Sequence, residues 1–221
     1  MIIPARFNGP PGTGNGGYSA GLVAGLVPGQ VAEVTLRLPP PLDTPLSVVR
    51  SAATVQVYDD SRLVAEARPV EPFDAAVPPV SFWAAAEASR WYDGFTDHPF
   101  PTCFVCGPKR EPGDGLRVFP GRLPDGRTAA PFVVPEDVSA AMIWASLDCP
   151  GGWAVISSGR PYVLGRMAAT VAALPRPGDQ CVVVGATVAV HGRKADVRSS
   201  LYGPDGTLLA AARATWIALP A

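Results

Sequence analysis

The sequence predicts an α+β protein built from two similar halves. Two apolar helical stretches carry that prediction, one in each half, together with matching turn-and-strand segments behind them and a Pro-rich bridge between. The chain has 221 residues, 48% of them apolar and 17% charged, which suits a packed core rather than a disordered chain. The spacing divides it into an N-terminal module over residues 1–70, a bridge over 71–115 and a C-terminal module over 116–221.

The first half opens on a Gly-rich loop and continues as GGYSAGLVAGLV (16–27), apolar nearly all round, as in a buried helix. Gly21, Ala24 and Gly25 would let that helix lie close against a sheet. Behind it come LPPPLD (38–43) and VYDDSRLVAEA (57–67), the latter a strand turning through Asp-Asp-Ser into a second strand. In the bridge, residues 81–92 read as a helix capped by Ser81. Its aromatics Phe82, Trp83, Trp91 and Tyr92 read as packing against the sheets. The following DHPFPTCFVCGPKREPGDG is turn chemistry throughout.

The second half repeats this grammar. VSAAMIWASL (138–147) is its apolar helix, LPRPGD (174–179) matches LPPPLD, and LYGPDGTLLAAA (201–212) matches the earlier hairpin. The stretch between the matched segments is shorter in the first half, so one hairpin there is trimmed. The repeat is far longer than a solenoid unit and points to a duplicated domain.

Composition excludes several classes. A net charge of −1 and the lack of any Lys/Arg-rich run argue against nucleic acid. Four cysteines are too few and too uneven for a secreted disulfide scaffold. The N-terminal residues lack a signal peptide's basic start and apolar core, and no apolar run approaches the ~18 residues of a membrane span. The expected compartment is the cytoplasm.

A buried helix followed by antiparallel strands, twice over, resembles the double hotdog fold, in which each of two antiparallel sheets wraps a central helix. Residues 164–219, with the P-x-P-G-D turn, the later G-R turn and the D-G-x-L-x-A hairpin, resemble the C-terminal strands of hotdog thioesterases such as acyl-CoA thioesterase II and related actinobacterial proteins. The resemblance implies a homodimer that hydrolyses an acyl-CoA without metal or organic cofactor. It places the family's Ser-Asp on Ser146-Leu147-Asp148 with one residue interposed, and the family's Gly-Gly helix start on Asn15-Gly16-Gly17-Tyr18. The implied roles are Asp148 as base for water, the Gly17 and Tyr18 N–H groups as oxyanion donors, and Asn15 as an orienting group. Two polar positions of the family fall on Ala24 and Ala214. That favours a non-catalytic acyl-binding protein as the rival reading. A hotdog hydratase would want an Asp/His pair, which short spacing does not supply.

Each candidate has a plainer alternative. Asp148 precedes Cys-Pro-Gly-Gly and reads either as a base raised by apolar surroundings or as a cap of the following turn. The loop GPPGTGNGG (9–17) opens like a phosphate loop, but Asn15 and Gly16 stand where Lys and Ser/Thr belong. It reads as a donor of helix-terminal N–H groups or as a simple Gly turn. Cys103 and Cys106 have zinc-knuckle spacing with His98 upstream, yet no second pair follows in sequence, so reduced thiols without metal are expected. His191-Gly192-Arg193-Lys194 reads as a hairpin tip that either holds coenzyme A phosphates with Arg160 and Arg166 or is merely solvated.

Overall fold

The computed structural model describes residues 1–27, 31–52, 54–156 and 160–220. In the first half, α1 (Gly16–Ala24) is followed by β1 (Ala32–Leu36), β2 (Ser47–Arg50), β3 (Val55–Asp59) and β4 (Arg62–Pro69). The bridge carries α2 (Phe82–Arg90), capped as expected by Ser81, whose hydroxyl accepts the Ala84 N–H at 3.1 Å. The second half holds β5 (Gly121–Arg122), β6 (Thr128–Val133), α3 (Ala140–Trp153), β7 (Tyr162–Val171), β8 (Gln180–His191), β9 (Lys194–Tyr202) and β10 (Leu208–Ala218).

The strands form one continuous antiparallel sheet in the order β2-β3-β4-β1-β7-β10-β9-β8-β6-β5. The order explains the matched sequence segments: β2-β3-β4-β1 mirrors β8-β9-β10-β7. The expectation of two sheets is corrected at the seam. There β1 pairs with β7, Val34 opposite Met167, and joins the halves edge to edge. Each half would otherwise end in an open edge, and pairing the two satisfies both rows of backbone groups. The hairpins read at 57–67 and 201–212 are present as β3–β4 and β9–β10. LPPPLD and LPRPGD contribute no strand. They are the loops after β1 and β7.

The two central helices pack on each other beneath this sheet, and the contact is set by glycine. A Cβ at Gly17 would lie 2.5 Å from the Asp148 Cβ, and one at Gly21 would lie 2.8 Å from the Ala141 Cα. Only glycine lets the two backbones approach this far. The largest fully buried side chains come from all three parts: Ile3 and Val34 from the first half, Tyr92 and Phe104 from the bridge, and Phe132, Ile143 and Leu147 from the second half.

In the bridge, the expectation that all four aromatics pack is corrected. Tyr92 is buried and Phe82 half-buried, while Trp83 and Trp91 are 81% and 74% exposed. The helix turns its small residues Ala85, Ala88 and Ser89 inward, so the indoles fall on its outer side. Among the described residues no helix is long and apolar enough to cross a membrane.

Candidate functional site

α3 runs further than its sequence predicts. A stop at Leu147 is expected from Pro150-Gly151-Gly152, yet the helix continues to Trp153 with Pro150 inside it. Tertiary packing overrides the local signal. Ser199 and Thr128, projecting from the sheet, donate hydroxyl hydrogen bonds to the Leu147 and Pro150 carbonyls at 2.5 and 2.7 Å. The two glycines sit against Val197 and Trp216, where a Cβ would lie 2.7 and 2.5 Å from the nearest side-chain atom. They are contact residues rather than terminators.

Asp148 therefore stands within the helix, in the α1–α3 contact, and the turn-cap alternative is removed. Its Oδ2 accepts the Gly17 N–H at 2.9 Å and the Asn15 side-chain amide at 3.4 Å. Its Oδ1 is buried and has no hydrogen-bond partner among the described residues. With the side chain only 3% exposed, burial pushes the Asp148 carboxyl up to about 7, against the opposing pull of the Gly17 N–H. Asn15 has a double role: its Oδ1 caps α1 by accepting the Tyr18 N–H at 2.8 Å.

Asp148, Asn15 and Gly16 line a cavity of about 370 Å³. The rest of its wall is largely apolar, including Leu38, Phe100, Leu164, Trp216 and Ile217. Trp216 was not singled out from sequence. Its indole Nε1 is buried without a partner among the described residues, as Asp148 Oδ1 is. A buried donor and a buried acceptor, both unmet and both on residues of one apolar cavity wall, are the features expected of a ligand site. A lone Trp in a strand carries no such signal in one dimension.

The other candidates divide. The Gly17 and Tyr18 N–H groups, expected as oxyanion donors, are engaged by Asp148 and Asn15, and the Tyr18 ring stacks on Phe7 at 3.8 Å. His191-Gly192-Arg193-Lys194 is a hairpin turn between β8 and β9, as read. Arg160 donates to its Gly192 carbonyl at 3.0 Å and lies over the ring of Tyr162, a cavity residue. Arg193 donates to the Ala218 carbonyl, between the cavity residues Ile217 and Leu219. Arg166 is separate. It donates to Thr35 at 3.2 Å and lies 3.9 Å from Glu33, a carboxylate that also pairs with Arg68 and Arg213.

The Cys-x-x-Cys turn lies on the same cavity wall as Asp148. Folding adds Cys149 to Cys103 and Cys106, and all three sulphurs lie within 4.8 Å of one another. These three are the donor set that could hold a metal. Hydrogen bonds from Cys106 and Cys149 hold the Cys103 thiol below its ordinary range, while burial raises Cys106. Burial also lowers His98 and favours its neutral ring.

No protein-family model matches the chain, and a search of curated proteins finds no sequence match. Solved structures do match. A tesB protein of Mycobacterium avium subsp. paratuberculosis aligns with 100% of this chain and 91% of its own, with TM-score 0.61 and 14% identity. A conserved protein with a hotdog fold from Alicyclobacillus acidocaldarius aligns with 99% and 92%, with TM-score 0.55 and 13% identity. The chain has the double hotdog fold. A third match, a protein assigned as a thioesterase in Novosphingobium aromaticivorans, covers 98% of this chain and 92% of its own, with TM-score 0.59 and 18% identity. At these identities the likeness concerns the hotdog architecture, and the chemistry has to be argued from the cavity.

Proposed function

We propose that this double hotdog protein hydrolyses an acyl thioester of the acyl-CoA class, with Asp148 as general base. The observation that carries the reading is the state of the Asp148 carboxylate. One oxygen is fixed by Gly17 and Asn15, the other is buried with no partner among the described residues, and Asp148 lines an apolar cavity. A base held in one orientation with one open lone pair is suited to take a proton from a water attacking a carbonyl. That solved structures of like architecture include a tesB protein and one assigned as a thioesterase supports the same reaction class.

In this reading the acyl chain occupies the apolar cavity, and the Trp216 indole N–H donates to the thioester carbonyl. That donor replaces the Gly17 and Tyr18 N–H groups, which the fold engages elsewhere. Arg160, Arg193 and Lys194 contribute positive charge for the phosphates of the coenzyme, His191 of the same hairpin tip contributes a polar ring, and Arg166 drops out because Glu33 neutralises it. Binding without turnover is the second reading, favoured by Ala214, which stands in β10 where the family has a polar side chain. The hydratase reading loses support. His98 reaches the cavity, but its Nδ1 accepts the Phe100 N–H at 2.8 Å and its Nε2 faces Cys106.

Thiol release measured across a series of acyl-CoA chain lengths tests the proposal. Turnover is expected in the parent, and Asp148→Asn should lower it by roughly 10²–10⁴-fold while acyl-CoA still binds. Hydrolysis by the variant within a few-fold of the parent removes Asp148 from the mechanism. Binding by the parent with no thiol release selects the second reading.

A further inference from the structure

Folding brings together three of the four cysteines from distant parts of the chain. Cys103 and Cys106 come from the bridge turn and Cys149 from α3, directly after Asp148. None forms a disulfide, and each is 4% exposed or less. A tetrahedral zinc site with Zn–S bonds of about 2.3 Å sets its sulphurs about 3.8 Å apart. Three sulphurs already within 4.8 Å of one another need only small side-chain rotations to reach that spacing. We propose that Cys103, Cys106 and Cys149 bind a zinc ion as thiolates, in a site bordering the cavity.

A side-chain amide and an imidazole stand beside the sulphurs. The Asn15 amide, which can only donate from its nitrogen, lies 3.7 Å from the Cys103 sulphur. His98 supplies a further donor. A backbone N–H donates to its Nδ1, so in the neutral ring Nε2 carries the proton, and that nitrogen lies between the Cys106 carbonyl at 3.2 Å and the Cys106 sulphur at 3.4 Å. Thiols are weak acceptors, whereas metal-bound thiolates are characteristically held by N–H donors of this kind. Gly107 closes the turn: its N–H donates to the Cys103 carbonyl at 2.9 Å, and a Cβ there would lie 2.5 Å from the Cys103 nitrogen.

His98 is accordingly an outer partner and not the fourth ligand. The fourth position falls to water from the cavity, since all three cysteines line it. Loading expels the three thiol protons to solvent and leaves the ion and its thiolates with one net negative charge, which the surrounding N–H donors stabilise. Sulphur-rich donors favour zinc over hard cations, and the ion would tie the bridge to α3 beside Asp148. The site stands whether or not the protein hydrolyses thioesters.

Elemental analysis of the untagged protein, purified without added metal, is expected to show one zinc per chain. X-ray absorption at the zinc edge should give three sulphur neighbours and one lighter neighbour, without the outer-shell pattern of an imidazole. Cys149→Ser should lose the zinc, while Cys181→Ala, which alters the one cysteine outside the cluster, keeps it. If Cys149→Ser does not fold, the parent still decides. Its reduced apo form is expected to take up Co²⁺ with thiolate-to-cobalt charge-transfer absorption. No zinc as purified and no cobalt uptake by a chain with four titratable thiols overturns the site. A metal lacking sulphur neighbours overturns it equally.

Discussion

The two central helices occupy matching places in the two halves and contribute in opposite ways. α1 has nine residues, among them three glycines and no carboxylate, and its contribution is mainly backbone, the Gly17 N–H and two glycine contacts, joined by the side-chain amide of its cap Asn15. α3 has fourteen residues and contributes side chains, Asp148 and Cys149. The sheet shows the same inequality. β2 has four residues and no buried position, whereas its counterpart β8 has twelve, five of them consecutively buried. The two helices are in contact and differ in what they contribute. The longer, fully buried helix can desolvate a carboxylate, and the shorter one holds that carboxylate with one main-chain N–H and the side-chain amide of its cap.

Two glycines of α1 break or sharpen this comparison. Gly17→Ala places a methyl 2.5 Å from the Asp148 Cβ and 2.8 Å from the Trp144 carbonyl oxygen, inside the helix contact. It should destabilise by about 1–3 kcal/mol in urea unfolding and should disturb Asp148 as well. Gly25, the C-cap, has φ −61° and is exposed, and a Cβ there meets nothing closer than 3.5 Å. Gly25→Ala should stabilise by about 0.4–1 kcal/mol through the unfolded chain. Equal effects at the two sites would mean that α1 does not supply close backbone to α3.

The helix caps separate structure from chemistry in the same way. Ser81 and Asn15 both cap through a side-chain oxygen, but only Asn15 also touches Asp148. Replacement by alanine should cost about 1 kcal/mol of stability at either site. Thioester turnover should fall for Asn15→Ala alone. An unchanged rate there would leave Asn15 a cap and nothing more.

Much of the fold was legible because it rests on local pattern. The apolar helices, the Ser81 cap, the β3–β4 and β9–β10 hairpins and the turn at Gly192 all follow from spacing and turn residues. What the sequence could not show is whatever depends on non-local contact. The single sheet is decided by one pairing, β1 on β7, between strands in separate halves. Pro150-Gly151-Gly152 carries a stop signal that burial against Val197 and Trp216 overrules. Asp148 was legible as a candidate, but its partners on α1 were not, and two expected oxyanion donors are consumed by the arrangement that holds it. The Cys103/Cys106 pair reads as incomplete in one dimension because its third sulphur is carried by a helix far along the chain.

The smallest expected effect concerns the two arginines that sequence grouped with the hairpin tip. Arg160 lies over Tyr162 with one nitrogen on the Gly192 carbonyl, so its charge stands beside the cavity residues and the basic turn. Arg166 lies at the β1–β7 seam, where Glu33 gathers three guanidinium groups. Among the described residues no carboxylate pairs with Arg160, whereas Glu33 compensates Arg166, so a phosphate arriving at the tip meets two different cations. Exposed ion pairs contribute about 0.2–1 kcal/mol, so Arg160→Ala should raise KM, or Kd if the protein only binds, by up to about fivefold at low salt. That difference should shrink as salt rises, and kcat should stay as it was. Arg166→Ala should leave both constants in place. A KM for Arg160→Ala equal to the parent's at low ionic strength would take the hairpin end out of phosphate recognition. A rise in Arg166→Ala instead would mean that the ligand runs along the seam between the halves.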